Sequence, residues 1–311
     1  MRNIFLQKLL VASALLLTAF ATPHARAALA VFACEPEWAS LTQELGGKDV
    51  SVYQATNAMQ DPHRIEARPS LVARMRSADL VICTGAELEA GWLPVLLQTA
   101  GNRKVQPGTD GYLAAADYVP RLDVPTALDR AAGDIHPGGN PHIQLDPRNI
   151  ARVATALTER LIRLDPAQKA AYAARGSDFG TRWRAAMTNW ETTAAPLKGM
   201  RLVPYHKDAA YLIAWLGMVE VMDIEPKPGI PPSAGYLAEL VERVQHDGAD
   251  AITRSAYTDP KAPAWLAQHT GVPLVELPYT VGGTPQAKDL FGLFDDTIAR
   301  LLQARKDHGA D

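Results

Sequence analysis

The sequence predicts an α/β protein of two lobes, each a small, mostly parallel sheet flanked by helices, joined by a long, rigid backbone helix. Two observations carry that expectation. Short β-branched or apolar runs alternate with longer helical patterns, once in each half of the chain. Between the halves, Arg148 to Leu197 holds apolar positions at helical spacing and offers no strand.

The strand candidates of the first half are Leu29–Ala33, Val50–Gln54, Asp79–Thr84 and Lys104–Gln106. Those of the second are Arg201–Tyr205, Val219–Ile224, Ala249–Thr253 and Leu274–Leu277. Helices are expected from Pro36 to Leu45, stopped by Gly46-Gly47, from Ser70 to Arg76, and from a cap at Ser233 to Val244, ending near Gly248. In the middle segment, Val153, Leu157 and Leu161 mark one helix, and Tyr172, Phe179, Trp183, Met187 and Trp190 mark a second. Asp165-Pro166 separates them, and a helix from Pro166 to Ala195 would be ~45 Å long at 1.5 Å per residue. The expected organisation is an N-terminal lobe over 28–147, a helical linker over 148–197 and a C-terminal lobe over 198–311.

Residues 1–27 read as a cleaved export signal. Arg2 and Lys8 precede an apolar run, Leu9 to Ala21, that is too short to span a bilayer and leads to Ala25-Arg26-Ala27. Cleavage near Ala27 implies a soluble periplasmic protein. Residues 1–27 carry three basic and no acidic side chains, so their removal moves the net charge from −3 to −6, which disfavours nucleic acid as a partner. Cys34 and Cys83 each lie near the end of a short β-like run, and in an oxidising compartment they are expected to form a disulfide. A pair of metal-binding thiolates is the competing reading, but the two lack close ligand spacing.

Asp61-Pro62-His63 and Asn140-Pro141-His142 repeat one pattern, a small polar residue, a proline and a histidine. His206 follows the strand Leu202 to Tyr205, at the carboxyl edge where open α/β sheets place ligands. Proline holds each of the first two histidines in a restricted backbone, and a metal ligand needs its orientation fixed beforehand. Three imidazoles favour zinc, because manganese and magnesium prefer more oxygen. His246, His269 and His308 sit near helix ends among polar neighbours and are set aside.

Two longer segments carry a resemblance. Gln60-Asp61-Pro62-His63-Arg64-Ile65-Glu66-Ala67-Arg68-Pro69-Ser70 and Gly139-Asn140-Pro141-His142-Ile143-Gln144-Leu145-Asp146-Pro147-Arg148-Asn149 resemble the two signatures of the periplasmic metal-binding proteins of ABC-type zinc and manganese importers. The resemblance spans essentially the whole mature chain. It implies two lobes on one long helix, with the metal in the cleft between them. By matching motifs, His63 and His142 would be ligands from the first lobe and His206 from the second. Zn²⁺ would be the transported ligand rather than Mn²⁺, since manganese members usually carry glutamate at the place of His206. The implied partner is an ABC-type metal permease in the inner membrane, and the implied protein is a monomer and not an enzyme.

The chain departs from the family at the fourth ligand. Pro278, in Glu276-Leu277-Pro278-Tyr279, stands where an aspartate is usual, which leaves water or His136 as the candidates. Asp61, Glu66 and Asp259 are carboxylates that could hold an imidazole N–H. Imidazoles must be neutral to bind, so acid through the histidine pKa near ~6.5 should release metal. Three histidines and a water also describe a hydrolytic zinc site, with Asp61 or Glu66 as its base. A metal chaperone or an adhesin on the same fold is the third reading.

Overall fold

In the computed structural model of the chain, which describes residues 27–126, 136–227 and 229–309, the alternating runs pair as two parallel sheets. The export signal falls almost wholly outside the described residues. Strands β1 (Leu29–Ala33), β2 (Val50–Gln54), β3 (Leu80–Cys83) and β4 (Tyr112–Ala114) form one sheet in the order β2-β1-β3-β4. Strands β5 (Arg201–Pro204), β6 (Val219–Glu220), β7 (Ala251–Ser255) and β8 (Leu274–Leu277) form the other, in the order β6-β5-β7-β8. In both, the first strand lies inside and the second outside, so the chain reverses direction across the sheet beside β1 and β5. That reversal leaves a crevice at the carboxyl ends of the strands.

One expected strand is wrong. Arg103–Val105 forms a 3₁₀ turn, and the fourth strand is Tyr112–Ala114 instead. Asn102 accepts the N–H of Lys104 at 3.0 Å and so captures the local backbone for a turn. Gly111 then passes so close that a Cβ there would sit 2.2 Å from the Lys104 carbonyl oxygen.

The described helices are α1 (Pro36–Gly46), α2 (Pro69–Ser77), α3 (Leu93–Ala100), α4 (Pro147–Leu164), α5 (Lys169–Thr193), α6 (Ala210–Leu216), α7 (Ala234–Asp247), α8 (Lys261–Thr270) and α9 (Leu290–His308). Pro147 opens α4 at its first turn, and Asp146 caps it by accepting the Arg148 N–H at 2.9 Å. The Ser233 cap forms as expected, accepting from Tyr236 at 3.2 Å. The long helix is shorter than its sequence pattern, because Pro166–Gln168 forms a separate 3₁₀ turn before the 25 residues of α5. At 1.5 Å per residue that is ~37 Å.

A single apolar cluster runs through both halves. It joins Val31 and Ile82 of the first sheet, Trp38 and Leu41 of α1, Ile150 and Leu157 of α4, Trp183 and Trp190 of α5, Leu202 and Leu277 of the second sheet, and Phe294 of α9. Trp183 is fully buried, packs edge-on to Trp190 with centroids 5.0 Å apart, and donates from Nε1 to the Pro147 carbonyl at 2.8 Å. Two smaller clusters cover the outer faces, around Phe32, Leu71 and Trp92 in one half and Val203, Leu240 and Leu266 in the other.

β1 and β3 are neighbours in register, with Ala33 opposite Ile82, so Cys34 and Cys83 meet just beyond the strand ends. They form the expected disulfide, with Cα atoms 4.8 Å apart. Beside it lie three buried carboxyls. Glu35 and Glu89 both accept the Thr84 N–H, at 3.2 and 2.7 Å, and Glu37 accepts the hydroxyl of Thr280 from the other half. Burial pushes Glu37 and Glu89 up to about 7; burial and the neighbouring carboxylates hold Glu35 well above its ordinary value.

Replacing Cys34 and Cys83 together by alanine should lower stability by about 2–4 kcal/mol, read as the urea midpoint, since the crosslink closes a loop of 49 positions. A second expectation concerns pH. With a folded pKa of about 7 against an ordinary 4.5, Glu37 contributes stability that is fully present below about 4.5 and is lost as pH rises through about 7. Glu37→Gln cannot ionise. It should match the wild type near pH 4 and exceed it by about 1–3 kcal/mol at pH 8, and parallel pH curves for the two would contradict this.

Candidate metal centre

The two Pro-His segments fold alike because their first residue acts on the third. The Asp61 Oδ1 accepts the backbone N–H of His63, and the Asn140 Oδ1 accepts that of His142, each at 3.0 Å. These are Asx turns, and the intervening proline presets the turn's φ. Trp92 fastens the first by donating to the Pro62 carbonyl at 2.9 Å, and Gly91 lies so near that a Cβ would be 2.9 Å from the His63 carbonyl oxygen. Asn140 fastens the second across the cleft. Its Nδ2 donates to the Lys207 carbonyl at 2.9 Å, and its own carbonyl accepts from the Tyr211 hydroxyl at 2.8 Å.

These anchors bring His63, His142 and His206 together, with ligand atoms all within 4.8 Å of one another. His136 joins them. Its Nε2 lies 3.2 Å from the Nε2 of His63, and the Nε2 atoms of His142 and His206 are also 3.2 Å apart. The loop that carries His136 is pinned to the first half, since the Gly138 N–H donates to Glu87 at 3.0 Å. His142 and His206 are 1% and 8% exposed, while His63 and His136 are half-buried, so the inner side of the cluster is nearly dry and its outer side meets solvent.

Each of three imidazoles is held from behind. His63 Nδ1 meets Asp61 at 2.8 Å, His206 Nδ1 meets Glu225 at 2.7 Å, and His142 Nδ1 meets the Tyr279 hydroxyl at 2.8 Å. A carboxylate only accepts, so His63 and His206 carry their proton on Nδ1 and turn a bare Nε2 lone pair inward. Burial and the neighbouring imidazoles of His206, His63 and His136 hold His142 well below the usual histidine value. Burial also lowers His206, but Glu225 and Asp208 outweigh it and leave it raised. Burial raises Asp61 too, but its bond and charge contact with His63 bring it below the ordinary carboxylate range.

Residues 31–304 match the family described as ZnuA, zinc-uptake complex component A periplasmic. The chain belongs to that family. Among relatives of the zinc-uptake family, it is 25% identical over 287 residues to the high-affinity zinc uptake system protein ZnuA of Paracoccus denitrificans, covering 81% of this chain and 83% of that one. It is 27% identical over 137 residues to the manganese ABC transporter substrate-binding lipoprotein of Streptococcus gordonii, covering 43% and 41%. A crystal structure of ZnuA superposes with a TM-score of 0.71 at 21% identity, over 91% of this chain and 98% of that one. An Mn-bound periplasmic metal binding protein from Candidatus Liberibacter asiaticus gives 0.72 at 15% identity, over 88% and 98%. At these identities the two structures bear on the fold alone, which they share.

Two expected supporting carboxylates lie elsewhere. Glu66 is exposed, and Asp259 accepts the Lys261 N–H at 2.9 Å at the start of α8. The Nδ1 positions are taken by Asp61, Glu225 and Tyr279 instead. Glu225 and Tyr279 were not legible as site residues, because each reaches its histidine only through the fold, over 19 and 137 positions. Pro278 does stand after β8, but the next residue, Tyr279, turns its hydroxyl into the cluster. Of the histidines set aside, His269 donates its Nδ1–H to the Trp265 carbonyl at 2.7 Å and stacks on that indole.

Tyr279→Phe should leave the His142 Nδ1 without a partner in a dry pocket. The expected cost is about 1–3 kcal/mol in denaturant melts of the metal-stripped protein, and an unchanged midpoint would remove the tyrosine hydroxyl from this account.

Proposed function

We propose that this chain is a periplasmic solute-binding protein that captures Zn²⁺ between its two sheets and delivers it to an ABC-type metal permease of the inner membrane. The ligands are His63, His142 and His206, with His136 in the fourth place. One observation supports this above the rest: two pairs of Nε2 atoms sit 3.2 Å apart, one nitrogen from each of four segments. A zinc tetrahedron with arms of about 2.0–2.1 Å has edges of about 3.3–3.4 Å, so each pair is spaced as two ligands of one ion, and the ligand atoms of His63, His142 and His206 all lie within 4.8 Å of one another.

The donor set favours zinc over manganese, because an all-imidazole shell lacks the oxygen that manganese prefers. The three backing groups fix ring orientation before the ion arrives, and the two carboxylates raise the basicity of His63 and His206. Asp61 is engaged by His63, which leaves it poorly placed to activate a water, so capture fits the site better than hydrolysis. The protein acts as a monomer, released into the periplasm by cleavage near Ala27.

Calorimetry on chelator-stripped protein should find one Zn²⁺ per chain at neutral pH, and X-ray absorption should count four imidazole nitrogens at about 2.0–2.1 Å. His136→Ala should bind with three imidazoles and one light atom, and His206→Ala should lose tight binding. No zinc binding would overturn the reading, and a three-imidazole count in the wild type would remove His136. Growth that depends on this protein and its permease under zinc starvation separates transport from a chaperone or adhesin role.

A further inference from the structure

We propose that Glu225 is a positioning residue that joins His206 to the proline-rich loop over the mouth of the cleft, so that capture of a divalent cation fixes that loop. The inference rests on the zinc-binding reading and concerns what binding does to the surface.

Glu225 is held at three points. Beyond the end of β6 the parallel ladder continues, with Ile224 donating to the Pro204 carbonyl at 2.8 Å and Glu225 to the Tyr205 carbonyl at 3.0 Å. This places its side chain beside His206, and both side chains are nearly buried, at 12% and 10% exposure. A single oxygen, Oε2, then receives the His206 Nδ1–H at 2.7 Å and the backbone N–H of Gly229 at 3.2 Å. The metal-facing ring and the loop therefore share one acceptor.

The loop reaches the opposite wall. Gly229 adopts φ +76°, a conformation that favours glycine, inside a tight turn closed by the Ile230 N–H on the Lys227 carbonyl at 3.0 Å. Its carbonyl lies 3.5 Å from the guanidinium of Arg64, the residue after His63. Asp61, His63 and Arg64 on one side and His206, Glu225 and Gly229 on the other line a half-open cavity of about 40 Å³, room for a water or two. The loop thus flanks the mouth beside His63 and His206 and is tied to each half.

An imidazole whose Nε2 binds a cation becomes a stronger Nδ1–H donor, and its bond to a carboxylate becomes charge-assisted. Metal at His206 therefore draws Glu225 into one position, and Glu225 holds Gly229 there. Linkage makes the effect reciprocal: a closed loop presets Glu225 and raises metal affinity. A metal-dependent loop gives a membrane partner a surface by which to tell the loaded protein from the unloaded one.

The test is hydrogen exchange on the mature chain, with and without saturating Zn²⁺, following peptides that contain Gly229 and Ile230, together with calorimetry. Zinc should slow their exchange at least several-fold in the wild type. Glu225→Ala should bind zinc about 10–100-fold more weakly, and at saturation its loop should exchange as fast as in the metal-free wild type. Glu225→Gln keeps an acceptor but loses the charge. It should fall between the two and shift the visible absorption of the Co²⁺-loaded protein, a readout that a packing role alone would not move. Zinc binding by the wild type without loop protection, or undiminished protection in Glu225→Ala, would overturn this coupling and leave the zinc reading standing. No zinc binding by the wild type would overturn both.

Discussion

The site depends on one constraint, that the two sheets share an apolar core. Had each half packed separately, the crevice between them would be free to open, and His63, His142 and His206 could not be held with their ligand atoms within 4.8 Å of one another. Trp183 is at the centre of this arrangement, stacked on Phe179, edge-on to Trp190 and bonded to the backbone at the first turn of α4. Close-packed interiors have few alternative arrangements, so the helix carrying it behaves as a strut.

On that frame, short-range chemistry does the aiming. An Asx turn sets the backbone of His63 and of His142, a strand end sets His206, and a carboxylate or hydroxyl behind three of the rings sets their rotation. Asn140 is the most connected of these residues, since it turns its own histidine and also ties that segment to the His206 segment. The polar network works because the surroundings are dry: a buried imidazole with no partner would cost more than the partner's loss of freedom.

Much of this was legible in the chain. Parallel strands announce themselves as apolar runs, and the repeated small-polar, proline, histidine pattern carries its turn geometry locally, so the fold class could be read from the chain, the disulfide expected from its two cysteines, and the convergence of His63, His142 and His206 expected from the motif resemblance. What escaped depends on distant parts of the fold. Lys104–Gln106 has an acceptable strand composition, but Asn102 bends it into a turn. Glu225 and Tyr279 have no local signature, because a carboxylate after a two-residue edge strand or a tyrosine after a proline is ordinary until the imidazole opposite is known. Glu66 lies in the motif beside His63 and Asp259 is a carboxylate of the second half, yet one faces solvent and the other serves a helix end.

The Asx-proline pairing has one more consequence, in chemical ageing. Asparagine and aspartate side chains decay in long-lived proteins when the next residue's backbone nitrogen attacks their carbonyl carbon and closes a five-membered imide. Proline offers no N–H for that attack. Asn140 and Asp61 are both followed by proline, so the two side chains that aim the histidines are shielded from the commonest spontaneous lesion open to them. The residue that shapes the turn also preserves it.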